Sequence, residues 1–239
     1  MPKPLTFQDL IIWENPDYFV VNKPAGISSL AERDATRASL YDLAKAHWPE
    51  AQLCHRLDKE TTGALVVAKH PEAYRHLAMQ FEAREVDKIY HAVVAGVHDF
   101  QQRLVDLPIV QSSKGTVRID RQLGKFAETT FQTLEAFPKC TLVACEPITG
   151  RLHQIRIHLA SIDAPILADA VYGGPNLYLS DIKRRVNLKQ YTEEQPLMQR
   201  VALHAFRIAF KGLQDEPISV EAPYPKDFRA LLTQLRKHI

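Results

Sequence analysis

Apolar residues in this chain arrive in short runs, and this spacing constrains the fold more than any other feature. Leu10 to Glu14, Tyr18 to Asn22, Ala64 to Ala68, Ile89 to Val97, Thr116 to Arg121, Ala127 to Phe137, Thr141 to Glu146, Val201 to Phe210 and Ile218 to Ala222 are all strand-sized. Helical spacing occurs at Ser39 to Trp48, in the segment opening on Pro71 (Tyr74, Leu77, Ala78, Phe81), at Leu152 to Ser161, and at Lys226 to Lys237 with Phe228, Leu231, Leu232 and Leu235 on one face. Many strands are joined by turns, such as Asn15-Pro16-Asp17, rather than by helices. The expectation is an α+β fold, a mixed and mostly antiparallel sheet with flanking helices. Residues 173 to 200 read as a long loop. With no repeat, low-complexity stretch or linker, residues 1–239 read as a single domain.

Bulk properties narrow the class. The 239 residues are 46% hydrophobic and 24% charged, ordinary for a soluble globular protein. No apolar run approaches a membrane span, and the N-terminus lacks the basic-then-apolar pattern of a signal peptide. Three cysteines (Cys54, Cys140, Cys145) cannot all pair within the chain, and none forms a Cys-x-x-Cys pair. The expected compartment is the reducing cytoplasm, without a structural metal. A net charge of +2 neither requires nor excludes a nucleic-acid partner. Two basic stretches are more informative: Arg103, Lys114, Arg118, Arg121 and Lys125, and then Lys183-Arg184-Arg185 with Lys189. Either one alone reads as a solvated loop.

Four short segments carry polar chemistry. His55-Arg56-Leu57-Asp58-Lys59-Glu60-Thr61-Thr62-Gly63 places a carboxylate and a nearby cation in a polar loop between apolar strands. Such a loop suits catalysis, and a structural turn with a surface ion pair suits the same residues. Gly150-Arg151-Leu152-His153-Gln154-Ile155-Arg156 opens a helix on which His153 and Arg156 would share a face, after a turn whose N–H groups could meet phosphate. His153 and His158 are too far out of phase for a two-histidine metal site. Lys88 and Tyr90 alternate onto one strand face with Ala92 and Val94. Lys23-Pro24-Ala25-Gly26 ends a strand in a turn.

In that order, the four segments resemble the RluA-type family of RNA pseudouridine synthases, from about Asp17 to about Ala205. Asp169 with Tyr172-Gly173, and Leu203-His204-Ala205, match later positions of the family. The resemblance implies the pseudouridine synthase catalytic fold, an RNA substrate (transfer or ribosomal RNA) and no cofactor. The further expectation is a monomer with no obligate protein partner and, from the lack of a long apolar run, no membrane. The uridine is flipped out, its N-glycosidic bond cleaved, and the uracil turned and rejoined through C5. Asp58 takes the place of the catalytic carboxylate, as nucleophile or base. Tyr90 corresponds to the tyrosine that stacks on the flipped uracil, and Arg156 to the cationic partner of the aspartate. Substrate-binding roles fall to Arg56, which fills the gap left by the flipped base, and to His55, Thr61, Lys23, Arg151, His153 and Gln154, with His55 supporting the loop rather than the chemistry.

The departures from the family pattern are specific. Thr61-Thr62-Gly63 stands where Thr-Ser-Gly is usual and keeps the hydroxyl. Ala168 stands where a glycine usually precedes the later aspartate, and Ser28-Ser29 where a His-Pro pair is common. The family's frequent N-terminal S4-like domain has no counterpart here, so the two basic stretches become the expected RNA contacts. Two rivals compete. A catalytically inactive RNA-binding module would not need Asp58, Tyr90 and Arg156 together. A Cys54–His55 hydrolase would have its nucleophile and base on opposite faces of a strand.

Overall fold

A computed structural model describes residues 5–31, 38–112, 117–183 and 193–238. In chain order the elements are β1 (Ile11–Glu14), β2 (Tyr18–Lys23), α1 (Leu40–His47), β3 (Gln52–Leu53), β4 (Thr62–Ala68), α2 (Pro71–Ala83), β5 (Asp87–Ala95), β6 (Arg103–Asp106), β7 (Ile109–Gln111), β8 (Val117–Ile119), β9 (Glu128–Ala136), β10 (Cys140–Pro147), α3 (Gln154–Ala160), α4 (Leu179–Ile182), β11 (Leu203–Lys211), β12 (Pro217–Glu221) and α5 (Lys226–Lys237). The chain forms two compact units, Met1–Ile89 with His204–Pro223 and Tyr90–Leu203 with Tyr224–Ile239.

In the first unit β2 lies antiparallel between β1 and β4. The far side of β4 takes β3 antiparallel and β11 parallel, and β12 returns antiparallel on β11. Every residue of β4 is buried, which explains its uninterrupted apolar reading. Ala73 and Leu77 of α2 close the core with Tyr18, Val20, Ala64, Val66, Ile208, Phe210, Ile218 and Val220. α2 starts where the His70 side chain accepts the Ala73 N–H and Pro71 occupies a position needing no donor. α1 is opened by a capping box between Ser39 and Asp42.

Gly63 lets β4 and β11 pair. Its φ is +116°, and a Cβ there would lie 2.2 Å from the Ala205 carbonyl oxygen. Only a residue without a side chain permits that backbone approach. Beside it the Thr62 hydroxyl meets His204 Nδ1 at 2.8 Å, and His204 Nε2 lies 3.0 Å from the Ala222 carbonyl, so the buried imidazole donates to the carbonyl and accepts from the threonine.

In the second unit β10 pairs antiparallel with β5 and β9, and β6 with β9. β7 and β8 form a separate two-stranded ribbon. The α5 stripe Phe228, Leu231, Leu232 and Leu235 is buried in one cluster with Ala92, Val94, Leu142 and Val143 of the strands and Ile155 and Leu159 of α3. Burying such side chains contributes roughly 1.5–3 kcal/mol each.

The mixed, mostly antiparallel sheet with helices matches the expectation from spacing. Details differ for physical reasons. Helix α3 begins at Gln154 rather than Leu152, because His153 is left-handed (φ 53°) and closes the preceding turn. β6 and β7 escaped the apolar pattern: in Arg103–Asp106 only Val105 faces inward. Gln8–Leu10 is a 3-10 turn before β1, with Asp9 bonded to the Thr6 N–H and hydroxyl. Within the expected 173–200 loop, α4 is held by Asp181, which accepts the Tyr178 N–H. Lys114 and most of the second basic stretch (Arg184, Arg185, Lys189) lie outside the described residues.

Candidate functional site

In the first unit the loop carrying Asp58 is fixed on both sides of that residue. The Ser29 hydroxyl donates to the Leu57 carbonyl at 2.8 Å and accepts the Leu57 N–H at 3.0 Å. One residue after Asp58, the Lys59 carbonyl accepts the Gly26 N–H at 2.9 Å and the Lys23 ammonium at 3.1 Å. That ammonium is fully buried and also donates to the carbonyls of Pro24 and Ile27. The Thr61 N–H closes the turn on the Asp58 carbonyl at 3.1 Å. Backbone groups that would otherwise move with the loop are thus tied to the end of β2 and the turn after it. A charged donor on a carbonyl makes a stronger hydrogen bond than a neutral one.

His55 anchors the other end of the loop. Its Nε2 accepts the Val66 N–H at 3.0 Å, and its ring packs on Phe81 at 4.9 Å between centroids. Burial, helped by the Lys88 ammonium, pushes its pKa down to about 3, so the ring is neutral and its Nε2 is an acceptor at neutral pH. Burial also lowers the Lys88 pKa, against the opposing pull of Asp87, and the ammonium sits 5.7 Å over the Phe81 ring. Arg56 is exposed, Asp58 is partly exposed and Thr61 is buried.

The second unit holds a second polar constellation. Arg156 Nε and Nη2 make a bidentate pair with Asp169 at 2.7 and 2.8 Å, both residues being buried. The guanidinium lies 5.1 Å from the Tyr172 ring centre. The Tyr172 hydroxyl in turn meets His153 Nδ1 at 3.0 Å. Gln154 is buried and bonded on both ends: its amide nitrogen donates to the Glu128 carbonyl and Thr129 hydroxyl, and its oxygen accepts from the Thr149 hydroxyl and the Arg151 N–H. The Arg151 N–H is therefore engaged at the turn read as a phosphate site. The Arg151 side chain is exposed, its Nε on the Phe126 carbonyl at 3.2 Å. Tyr90 is partly buried against the core and pairs in register with Cys145.

Residues 17–161 match the family model described as RNA pseudouridylate synthase. The chain belongs to this family. It is 35% identical over 233 residues to ribosomal large subunit pseudouridine synthase C of Vibrio vulnificus (strain CMCP6), covering 96% of this chain and 70% of that protein. To ribosomal large subunit pseudouridine synthase D of Pseudomonas aeruginosa it is 38% identical, covering 95% of this chain and 72% of that protein. Human RNA pseudouridylate synthase domain containing 4 has a similar structure, with a TM-score of 0.72 at 27% identity, covering 96% of this chain and 94% of that one. The chain is thus a member of a family of isomerases, with their fold.

Within the family pattern, two departures acquire physical meaning. Ala168 has φ 59°, a left-handed conformation that explains why a glycine is usual there. Ser29, one of the two serines standing where a His-Pro pair is common, ties down the residue before Asp58. Asp169 and Tyr172 match family positions in the sequence, but spacing does not reveal their contact with Arg156. Cys54 has its thiol pushed up to about 12 by burial, and the Nε2 of His55 is engaged by Val66, so the pair lacks a thiolate and a base. Among the described residues no group of three or more His, Cys, Asp and Glu is placed to hold a metal ion, and no helix is long and apolar enough to cross a membrane.

Proposed function

We propose that this protein isomerises uridine to pseudouridine in the RNA of the large ribosomal subunit, with Asp58 as the carboxylate that starts the reaction as nucleophile or base. The bond between ribose C1′ and uracil N1 breaks, the uracil turns, a C5–C1′ bond forms, the C5 proton leaves and N1 takes one up. An aspartate with an ordinary pKa of about 3.9 is already ionised at neutral pH, so the requirement is to hold it in place rather than to deprotonate it. The observation that carries the reading is the loop around Asp58, clamped at Leu57 by Ser29 and at Lys59 by Lys23 and Gly26. Fixing a reacting group before the substrate arrives lowers the barrier by removing reorganisation.

The other roles follow the family positions. Tyr90 stacks on the flipped uracil, an interaction worth roughly 1–3 kcal/mol per base, and its hydroxyl takes the C5 proton. Arg156 favours the ionised aspartate, and its bidentate hold on Asp169 keeps the guanidinium oriented. Arg56, exposed on the loop, replaces the flipped base. His55, Lys23 and Gln154 support those residues from behind. Thr61, Arg151 and His153 complete the RNA-binding set. Ribosomal RNA is favoured over transfer RNA because the relatives in Vibrio and Pseudomonas are ribosomal large subunit synthases.

The test is Asp58→Asn assayed by base-resolution pseudouridine mapping of large-subunit RNA, in cells and with purified protein. Conversion should fall to background while RNA binding persists. Turnover by the variant would remove Asp58 from its role, and modification confined to transfer RNA would replace the substrate.

A further inference from the structure

The second unit has a cleft of about 490 Å³, within the roughly 300–1,000 Å³ of small-ligand sites. Ile109, Leu123 and Leu152 supply apolar wall, and Gln111, Lys125 and Arg151 supply polar groups. Among the described residues that line it, the charged ones are the two cations, and none is a carboxylate. Both cations are exposed. Arg151 donates through Nε to the Phe126 carbonyl, which leaves its two Nη groups without a partner among the described residues. The Lys125 ammonium likewise has none there; its backbone is fixed to Ile109 in both directions. By contrast Arg118, a contact expected from sequence, is neutralised by Asp120 at 3.0 Å. Gly150 also lines the cleft, and the space its side chain would occupy is open, with no atom within 4 Å.

We infer that this cleft seats a nucleotide of the RNA other than the target uridine, with Arg151 and Lys125 on its phosphate and the apolar wall against its ribose or base. The inference rests on the proposed function for the identity of the ligand. Charge complementarity selects the occupant: two cations with no carboxylate partner among the described residues suit a phosphodiester, and the two Nη groups of a guanidinium suit its paired oxygens. Apolar wall on the same cleft suits a sugar or base and would be wasted on a bare anion. The bare glycine backbone leaves room for a close approach.

The experiment measures binding of a large-subunit ribosomal RNA transcript to the full chain across a salt series, for K125A, R151A, R151K and G150L, with thermal unfolding as a check on folding. Each lost phosphate contact should lower the slope of log K against log salt by about 0.7–0.9. K125A and R151A should each weaken binding about 3- to 10-fold, R151K should recover the slope but only part of the affinity, and G150L should weaken binding with the slope unchanged. Folded alanine variants with unchanged affinity and slope would overturn the inference, as would a loss confined to kcat, which would move Arg151 into the chemistry. If wild-type protein binds the transcript but converts no uridine, the proposed function fails while the cleft result still stands.

Discussion

Replacing Ser29 with alanine removes one oxygen and leaves two buried backbone groups of Leu57 without their partner. Ser29 and Leu57 are each only 4% exposed, so bulk water does not reach the gap. The space vacated by a hydroxyl is smaller than the roughly 30 Å³ a water molecule occupies in the liquid, so no water can substitute without rearrangement. An unsatisfied buried donor costs about 1–3 kcal/mol. The loop can avoid that cost only by moving Leu57 outward to find solvent, and Asp58 moves with it. At about 1.4 kcal/mol per tenfold in rate, the expected loss is roughly 5- to 140-fold in kcat. The assay is single-turnover pseudouridine formation at saturating RNA beside RNA affinity and thermal unfolding. The effect should fall on kcat with affinity within about twofold, and Ser29→Thr, which keeps the hydroxyl, should recover part of it. Wild-type turnover with a lowered Tm would refute the reasoning: the clamp would then stabilise the unit without aligning Asp58.

Three further outcomes follow from the contacts described. Ala168→Gly should raise Tm, by about 1 kcal/mol of stability, because it relieves a left-handed alanine whose φ is 59°; an unchanged or lower Tm would mean the strain is absorbed elsewhere. Asp169→Asn should destabilise by about 3–5 kcal/mol and abolish activity, since it breaks a buried bidentate pair with Arg156; mild loss in urea unfolding would contradict this. His55 is held near pKa 3 in the fold against an ordinary 6.5. The unfolded chain therefore binds the extra proton between those values, so His55 contributes stability that is complete above pH 6.5 and lost as pH falls toward 3. His158, whose pKa burial also lowers, adds to the same trend. His55→Gln should flatten the acid limb of stability against pH, and an unaltered limb would exclude His55 as a source.

Period and turn chemistry make most strands and the long helices legible in the sequence. The α5 stripe from Phe228 to Leu235 is a clear case, because a helix with one apolar face can be buried in few ways. Arg103–Asp106 was not legible, since a short edge strand with a single inward residue has no period to detect. At the candidate site, the motif order singles out Asp58, Tyr90 and Arg156 as expectations, and says nothing of the contacts around them. Ser29 clamps Leu57 from 28 residues away, and Asp169 pairs with Arg156 across a loop. Such contacts are set by tertiary folding, and a serine or aspartate carries no local mark of them. Ala168 is the intermediate case: its oddity was visible as a missing glycine, and its backbone angle supplies the reason.

The parallel pairing of Thr62 and Gly63 with His204 and Ala205 joins residues 142 positions apart. A ribosome adding roughly 5–20 residues per second delivers β11 on the order of ten seconds after β4. For that interval the nascent first unit holds a strand, Thr62–Ala68, that is wholly buried in the finished protein but lacks the partner for its N-terminal end. An uncovered apolar strand edge is a template for pairing with other chains. Synthesis rate and chaperone supply should therefore govern the yield of soluble protein more than the final stability does, and slowing translation upstream of residue 203 should lower it.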